Sequence, residues 1–279
     1  MKIFIPNQSE QKIGGGWSFI DYFSKLATNY LTQNYDECDI YFIAGATMVD
    51  RESVLKAKKH KKRVVLRIDN MPKNSRNRNT ASSRLFDFAN LADLVIYQSE
   101  WAKEYVGYFI KKDGPVIYNG VDTSIFTPEG QKWPSTAKTT YLYSRYSRDE
   151  SKRPDEAFYY YHQAWKQNKD SELWIMGRFG EAVTYNFDFF MNEPIKYLGV
   201  MEQKEQIAMF LRGADVLLYP YFNDACSNTL IEAICVGIEI ETCISGMTGG
   251  SYEILKQGKD FDWSNERMVK EYINQFNKL

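Results

Sequence analysis

One feature constrains this chain more than any other. Short β-rich runs alternate with helical periodicity, stop at a breaker-rich segment, and then start again. In the first pass the strand candidates are Lys2–Ile5, Asp39–Ala44, Arg63–Ile68, Leu94–Tyr97 and Val116–Tyr118. Helical spacing falls between them at Trp17–Thr32, Val49–His60, Ser82–Leu91 and Glu100–Phe109. Strands buried on both faces read as unbroken apolar runs, as Val64-Val65-Leu66 and Leu94-Val95-Ile96 do. That pattern predicts parallel sheets covered by helices.

Asn119-Gly120-Val121-Asp122 is turn chemistry, and Thr127-Pro128-Glu129-Gly130 through Pro134-Ser135 has no periodicity, so this stretch reads as a linker. The second pass places strands at Thr139–Tyr143, Leu173–Met176, Ile195–Tyr197, Val216–Tyr219 and Ile238–Thr242. Its helices are expected at Pro154–Lys166, Lys204–Arg212, Thr229–Val236 and Ser251–Leu255. A last amphipathic helix, Asn265–Asn277, carries Met268, Val269, Tyr272, Ile273 and Phe276 at helical spacing. The expected class is α/β, with two Rossmann-like domains and a ligand in the cleft between them. Their limits are read as residues 1–130 and 131–264, followed by a terminal helix at 265–279. A chain of 279 residues is long enough for two such cores.

Composition excludes several classes. With 44% hydrophobic and 25% charged residues the chain is neither disordered nor fibrous. A formal net charge of −1 argues against a protein built to coat nucleic acid. The apolar start Met1–Ile5 is halted by Pro6, too short for a secretory signal, and no run approaches the ~18 apolar residues of a spanning helix. Cys38, Cys226, Cys235 and Cys243 lack paired C-x-x-C spacing and are expected as buried thiols, not metal ligands. These features together suggest a cytoplasmic protein.

The stretch Tyr219–Gly237 carries the most chemistry. It leaves a strand, crosses a small-residue loop and enters a helix, with Ser227-Asn228-Thr229 at the junction. A helix N-terminus offers free N–H groups and a positive dipole end to phosphate. Asp224 and Glu232 would accept hydrogen bonds from sugar hydroxyls on either side of it. The alternative is structural: Asp224 or Ser227 caps the helix, and Glu232 is partly buried framework.

This stretch resembles the acidic donor-site motif of retaining glycosyltransferases of family 4, which have the GT-B fold. Other segments match in order: Val116–Asp122 with Phe126-Thr-Pro128, Ser144-Arg145 with Lys152, Leu173–Gly177, Tyr197-Leu-Gly199, Ala214-Asp215 before Pro220, and Gly249-Gly250 with Glu253. The first half adds Gly14-Gly15-Gly16, Arg67-Ile-Asp-Asn70 and Gln98-Ser-Glu100. The resemblance therefore spans nearly the whole chain. It implies two Rossmann-like domains with parallel sheets facing a central cleft, and a C-terminal helix crossing back to the first domain.

The resemblance also assigns roles. Arg145 and Lys152 would neutralise the donor diphosphate as the glycosidic bond breaks. Glu232 would hold the nucleotide ribose and Asp224 the donor sugar, with Ser227, Asn228 and Thr229 presenting the helix end. Gly15 and Gly16 would lie over the donor phosphates, and Asp69, with Asn70 beside it, would face the reacting sugar. Backbone near Gly177–Gly180 and Gly199–Met201 would receive the base, whose identity (uracil, guanine or adenine) stays open.

The implied activity is retaining transfer from a nucleotide diphosphate sugar to a hydroxyl of a glycan, lipid-linked or other acceptor, with no metal or other cofactor. The only Asp-x-Asp, Asp260-Phe-Asp262, precedes the terminal helix, a poor place for a diphosphate-bound metal. A binding protein without turnover, or an epimerase on the same scaffold, are the competing readings.

There are departures from the family pattern. Asp224 stands where Glu is commoner, and the longer segment between Arg145 and Lys152 makes Arg148 or Arg153 a rival phosphate ligand. His60 and His162 look uninvolved. The basic runs Lys56–Arg63 and Lys73–Arg78 read as a solvated helix end or as peripheral contact with an anionic membrane surface. Phe158-Tyr159-Tyr160-Tyr161 is expected to face partly into the core rather than form a sugar platform.

Overall fold

Of the two runs that read as doubly buried strands, Val64-Val65-Leu66 is buried throughout and Leu94-Val95-Ile96 is buried except for half-buried Leu94. Ile40–Ile43 (β2) is inaccessible throughout, and in Arg63–Arg67 (β3) only the first residue is exposed. They lie in a computed structural model that describes residues 1–6, 8, 15–69, 79–147, 149–178 and 193–279, with the side chains of 79–81 left aside. Gly14, Asn70, Lys73–Arg78, Arg148 and Gly180 fall outside the described residues. The chain divides into two compact units, Met1–Gly120 with Trp263–Leu279, and Val121–Asp262.

In the first unit Ile3–Phe4 (β1), β2, β3 and Leu94–Ile96 (β4) form one parallel sheet in the order β1-β2-β3-β4. The expected strand at Val116–Tyr118 is reduced to a bridge between Tyr97 and Val116, because Pro115 has no N–H to extend the ladder. Helices Gly15–Leu26 (α1), Arg51–Lys59 (α2) and Asn79–Leu91 (α3) make the three crossovers, and Glu100–Ile110 (α4) leads from β4 to the Val116 bridge. Asp50 caps α2 through the Ser53 N–H and Ser99 caps α4 through the Ala102 N–H, each worth about 1 kcal/mol. α1 stops at Leu26, short of the expected Thr32, and a 3-10 turn at Thr28–Tyr30 follows.

The terminal helix belongs to this unit. Asn265–Phe276, labelled α9 in chain order, buries Met268, Val269, Tyr272, Ile273 and Phe276. The Tyr272 ring lies 5.3 Å from Phe19 and 5.9 Å from Phe23 of α1, and Phe276 lies 5.0 Å from Phe42 of β2. Full burial of each such ring stabilises by about 1.5–3 kcal/mol, so the helix seals the core with aromatic packing.

In the second unit Thr139–Tyr146 (β5), Ser171–Gly177 (β6), Ile195–Gly199 (β7), Val216–Leu218 (β8) and Glu239–Glu241 (β9) form a parallel sheet in the order β7-β6-β5-β8-β9. Helices Pro154–Gln167 (α5), Lys204–Gly213 (α6), Asn228–Val236 (α7) and Ser251–Gln257 (α8) complete it. In α5, Phe158 and Tyr161 are buried while Tyr159 is exposed, so the aromatic run does straddle the helix. Residues from Val121 onward belong here, whereas the sequence suggests a first domain extending to 130. Arg212 of α6 donates to the carbonyls of Ile125, Thr127 and Gln131, which fastens that segment to this unit.

Candidate functional site

Adjacent parallel strands end at the same edge, so the chain leaving β5 and the chain leaving β8 emerge side by side. β5 delivers Ser144 and Arg145; β8 delivers the loop Tyr219–Ser227, which then starts α7. The exposed Arg145 side chain reaches that helix end, with Nε donating to Thr229 Oγ1 at 3.2 Å. Lys152 arrives on the short 3-10 turn Glu150–Lys152 after β5. The Tyr143 hydroxyl donates to the Lys152 carbonyl at 2.9 Å, and the Phe222 N–H donates to the Ser151 carbonyl at 2.8 Å. The Lys152 ammonium lies 2.8 Å from Asp224 Oδ2, the two side chains being 14% and 21% exposed.

The helix end suits an anion. Ser227 occupies the N-cap position, but its side chain makes no capping hydrogen bond. Asp224 presents Oδ2 to Lys152 instead. The positive end of the α7 dipole therefore faces the edge at which Arg145 and Lys152 arrive, without a cap from its own N-cap residue. Asn228 is half-buried, and Ser227, Thr229 and Glu232 are buried. Burial holds the Glu232 carboxyl above the ordinary carboxylate range, against the opposing pull of Lys204 and Arg145.

Asp224 is held from behind. Its carbonyl accepts the Gly250 N–H at 2.9 Å, and the Asn223 N–H donates to Thr248 Oγ1 at 2.9 Å. Gly249 has φ +68, and a Cβ there would stand 2.8 Å from the Asp224 carbonyl oxygen. The late glycine pair thus seats the acidic loop. Gly177, at the end of β6, has φ +146, and a Cβ there would lie 2.2 Å from the Tyr146 carbonyl oxygen. That glycine is demanded by strand packing, whatever else it does. Gly199 closes β7 at φ +79 with open space around it.

Arg153, like Lys152, is engaged by neighbouring side chains. Its guanidinium donates to Ser245 Oγ at 3.0 Å and to both Asp155 oxygens, and lies 3.6 Å from Glu156. Tyr221, which the sequence did not single out, is buried beneath the basic pair. Its hydroxyl is 3.0 Å from Ser144 Oγ, and the Lys152 ammonium lies 4.3 Å from its ring centre. Burial drives its phenol pKa up while Arg145 opposes the rise. The alternation Tyr219-Pro-Tyr221 just past a strand was the available signal. His162 is also engaged, its Nδ1 meeting the buried Glu193 carboxylate rather than facing solvent alone.

The first unit gathers the remaining candidates by itself. Asp69 follows β3 and lies over Gly45, where a Cβ would come within 2.5 Å of Asp69 Oδ2. A Cβ on Gly16 would be 3.8 Å from the same oxygen and 2.9 Å from Met48 Sδ, so Gly16 and Asp69 share a neighbourhood. Gly15 faces open space. Both glycines sit in the first turn of α1. The basic run is partly structural: Lys58 pairs with Asp93 at 2.8 Å, and Lys62 donates to the Asp36 and Cys38 carbonyls.

No family model and no curated protein matches this chain by sequence. Solved structures do. Anabaena Alr3699/HepE in complex with UDP and glucose aligns over 100% of both chains with a TM-score of 0.69 and 13% identity. A mutant of S. aureus TarM, in complex with fondaparinux, alpha-GlcNAc-glycerol and UDP, aligns over 93% of this chain and 59% of its own, with a TM-score of 0.60 and 13% identity. Sucrose-phosphate synthase from Thermosynechococcus elongatus gives 0.56 and 14%, over 82% and 62%.

The fold is GT-B.

In GT-B terms each unit of this chain is one of the two Rossmann-like halves, the first completed by α9. At 11–15% identity the likeness establishes architecture alone.

Proposed function

We propose that this GT-B protein is a nucleotide-sugar-dependent glycosyltransferase that retains anomeric configuration without a metal. The observation carrying the proposal is the convergence of Arg145, Lys152, Asp224 and the N-terminus of α7 at one edge of the second sheet. Two cations beside the positive end of a helix dipole are what a diphosphate leaving group requires. The HepE structures holding UDP, glucose and UDP-glucose support a uridine donor.

In this reading the α7 N-terminus and Arg145 take the diphosphate. Lys152 stabilises the charge that grows on it and is exchanged from Asp224 as the donor enters. Asp224 then accepts from donor-sugar hydroxyls, Glu232 from ribose hydroxyls, and Gly177 and Gly199 flank the base. The acceptor oxygen bonds to the anomeric carbon on the face from which the phosphate oxygen leaves, and its proton passes to that oxygen. Gly15 and Gly16 of the first unit are assigned to the donor phosphates, and Asp69 to the reacting sugar. The acceptor is a carbohydrate or lipid-linked hydroxyl, and the chain works in the cytoplasm, with peripheral membrane contact through its basic run.

Incubation with radiolabelled UDP-, GDP- and ADP-sugars and a panel of glycan acceptors tests this. Labelled disaccharide linkage with nucleoside diphosphate release is expected. An epimerised nucleotide sugar, or binding without release on any acceptor, would remove the transferase assignment.

A further inference from the structure

The first unit carries an aromatic surface that its core does not use. On α4, Tyr108 is 78% exposed, Phe109 53% and Tyr105 38%, with Trp101 a further turn back. Their rings touch in series: Trp101 to Tyr105 at 5.2 Å, Tyr105 to Phe109 at 5.8 Å, Tyr108 to Phe109 at 5.3 Å, and Phe86 of α3 to Phe109 at 6.1 Å. Contiguous exposed aromatics of this kind mark interaction surfaces, whereas scattered ones do not.

We propose that this face is where two copies of the chain meet, α4 against α4, antiparallel across a two-fold axis. The charges at its margin select that occupant. Glu104 and Lys111 are both exposed and carry no ion pair among the described residues. Glu104 lies within α4 and Lys111 is its left-handed C-cap residue, seven positions on, which sets both toward one margin of the aromatic stripe. A two-fold perpendicular to the helix, passing level with Tyr108, sets each edge against its own copy in reversed order. Glu104 of one chain then lies beside Lys111 of the other, twice per dimer, with the aromatic cluster between the two pairs.

Ring geometry points the same way. Trp101 and Tyr105 stack at 6°, while Tyr105–Phe109 and Tyr108–Phe109 cross at 76° and 90°, so the cluster offers both ring faces and ring edges to a second copy. With Glu104 and Lys111 together the margin carries no net charge, so it holds no excess of cations for an anionic bilayer, while it is self-complementary in a two-fold pair.

Sedimentation equilibrium on the full chain tests the proposal. The wild type is expected to dimerise, and Tyr108→Asp with Phe109→Asp to raise the dissociation constant at least 100-fold with an unchanged far-ultraviolet spectrum. Glu104→Lys and Lys111→Glu are each expected to weaken the dimer about tenfold and, combined, to restore it, which a merely damaged fold would not do. A wild type that stays monomeric, a dimer indifferent to the Tyr108 and Phe109 changes, or a monomer that floats with phosphatidylglycerol vesicles through this face would overturn it.

Discussion

Lys152 and Asp224 are bonded to each other at 2.8 Å, although 72 positions separate them in the chain. The pair is largely shielded from water, so each charge is answered by the other. If Lys152 is exchanged onto a diphosphate, its removal should be felt twice. Lys152→Met is expected to cost about 1–3 kcal/mol of stability, by leaving a part-buried carboxylate without its cation, and to lower turnover at least 100-fold. Urea denaturation and steady-state kinetics read the two effects separately. Asp224→Asn should leave nucleoside diphosphate affinity intact or tighter, while turnover falls.

Arg145 makes the opposite kind of prediction. It is exposed and bonded to the Thr229 hydroxyl, so Arg145→Ala should change stability by less than about 0.5 kcal/mol. The same change should weaken nucleoside diphosphate binding about 10- to 100-fold, measured by calorimetry. Arg145→Lys should rescue poorly, because a point charge cannot replace the planar fork.

Glu232 gives a pH dependence with a definite sign. Its carboxyl pKa is raised by burial, so the folded state holds the proton more tightly than the unfolded chain does. Stability therefore falls as pH rises from the ordinary carboxylate range through the raised value, by about 1.4 kcal/mol for each unit of displacement. Glu232→Gln should flatten that slope and raise Tm at pH 7, while nucleotide affinity drops. A variant with the wild-type slope would show the burial cost to lie elsewhere.

Gly249→Ala tests the seating of the acidic loop. With φ +68 and a Cβ 2.8 Å from the Asp224 carbonyl oxygen, the loop must move. Turnover should fall more than nucleoside diphosphate affinity does, since Asp224 is displaced while Arg145 and α7 stay in place. Equal losses in both would indicate general unfolding of the unit.

Much of this was legible in the sequence, for reasons that differ by element. The parallel strands announced themselves because Val64-Val65-Leu66 and Val95-Ile96 are buried, with Leu94 half-buried at the strand's start. The terminal helix was visible because Tyr272 and Phe276 keep helical spacing with Met268 and Val269. Val116–Tyr118 reads as a strand by composition, yet Pro115 removes the donor that would lengthen the ladder. The linker's attachment was hidden, since the carbonyls it offers to Arg212 carry no side-chain signature.

At the site, sequence order brought out Arg145, Lys152, Asp224 and Glu232, whereas Lys152–Asp224 pairing required the fold. Tyr221 went unnoticed because a buried phenol beside a strand end looks like any other core aromatic. Aromatic residues make up 15% of the chain, and they fill the cores of both units as well as forming the exposed face of α4.

The central claim is that the second unit holds a nucleoside diphosphate on Arg145, Lys152 and the α7 N-terminus. Isothermal titration of UDP, GDP and ADP into the wild type, Arg145→Ala and Lys152→Ala tests it most directly. The account expects at least one nucleotide to bind the wild type and to lose tenfold or more with each substitution. No binding by any of the three, or affinity untouched in both variants, would contradict it.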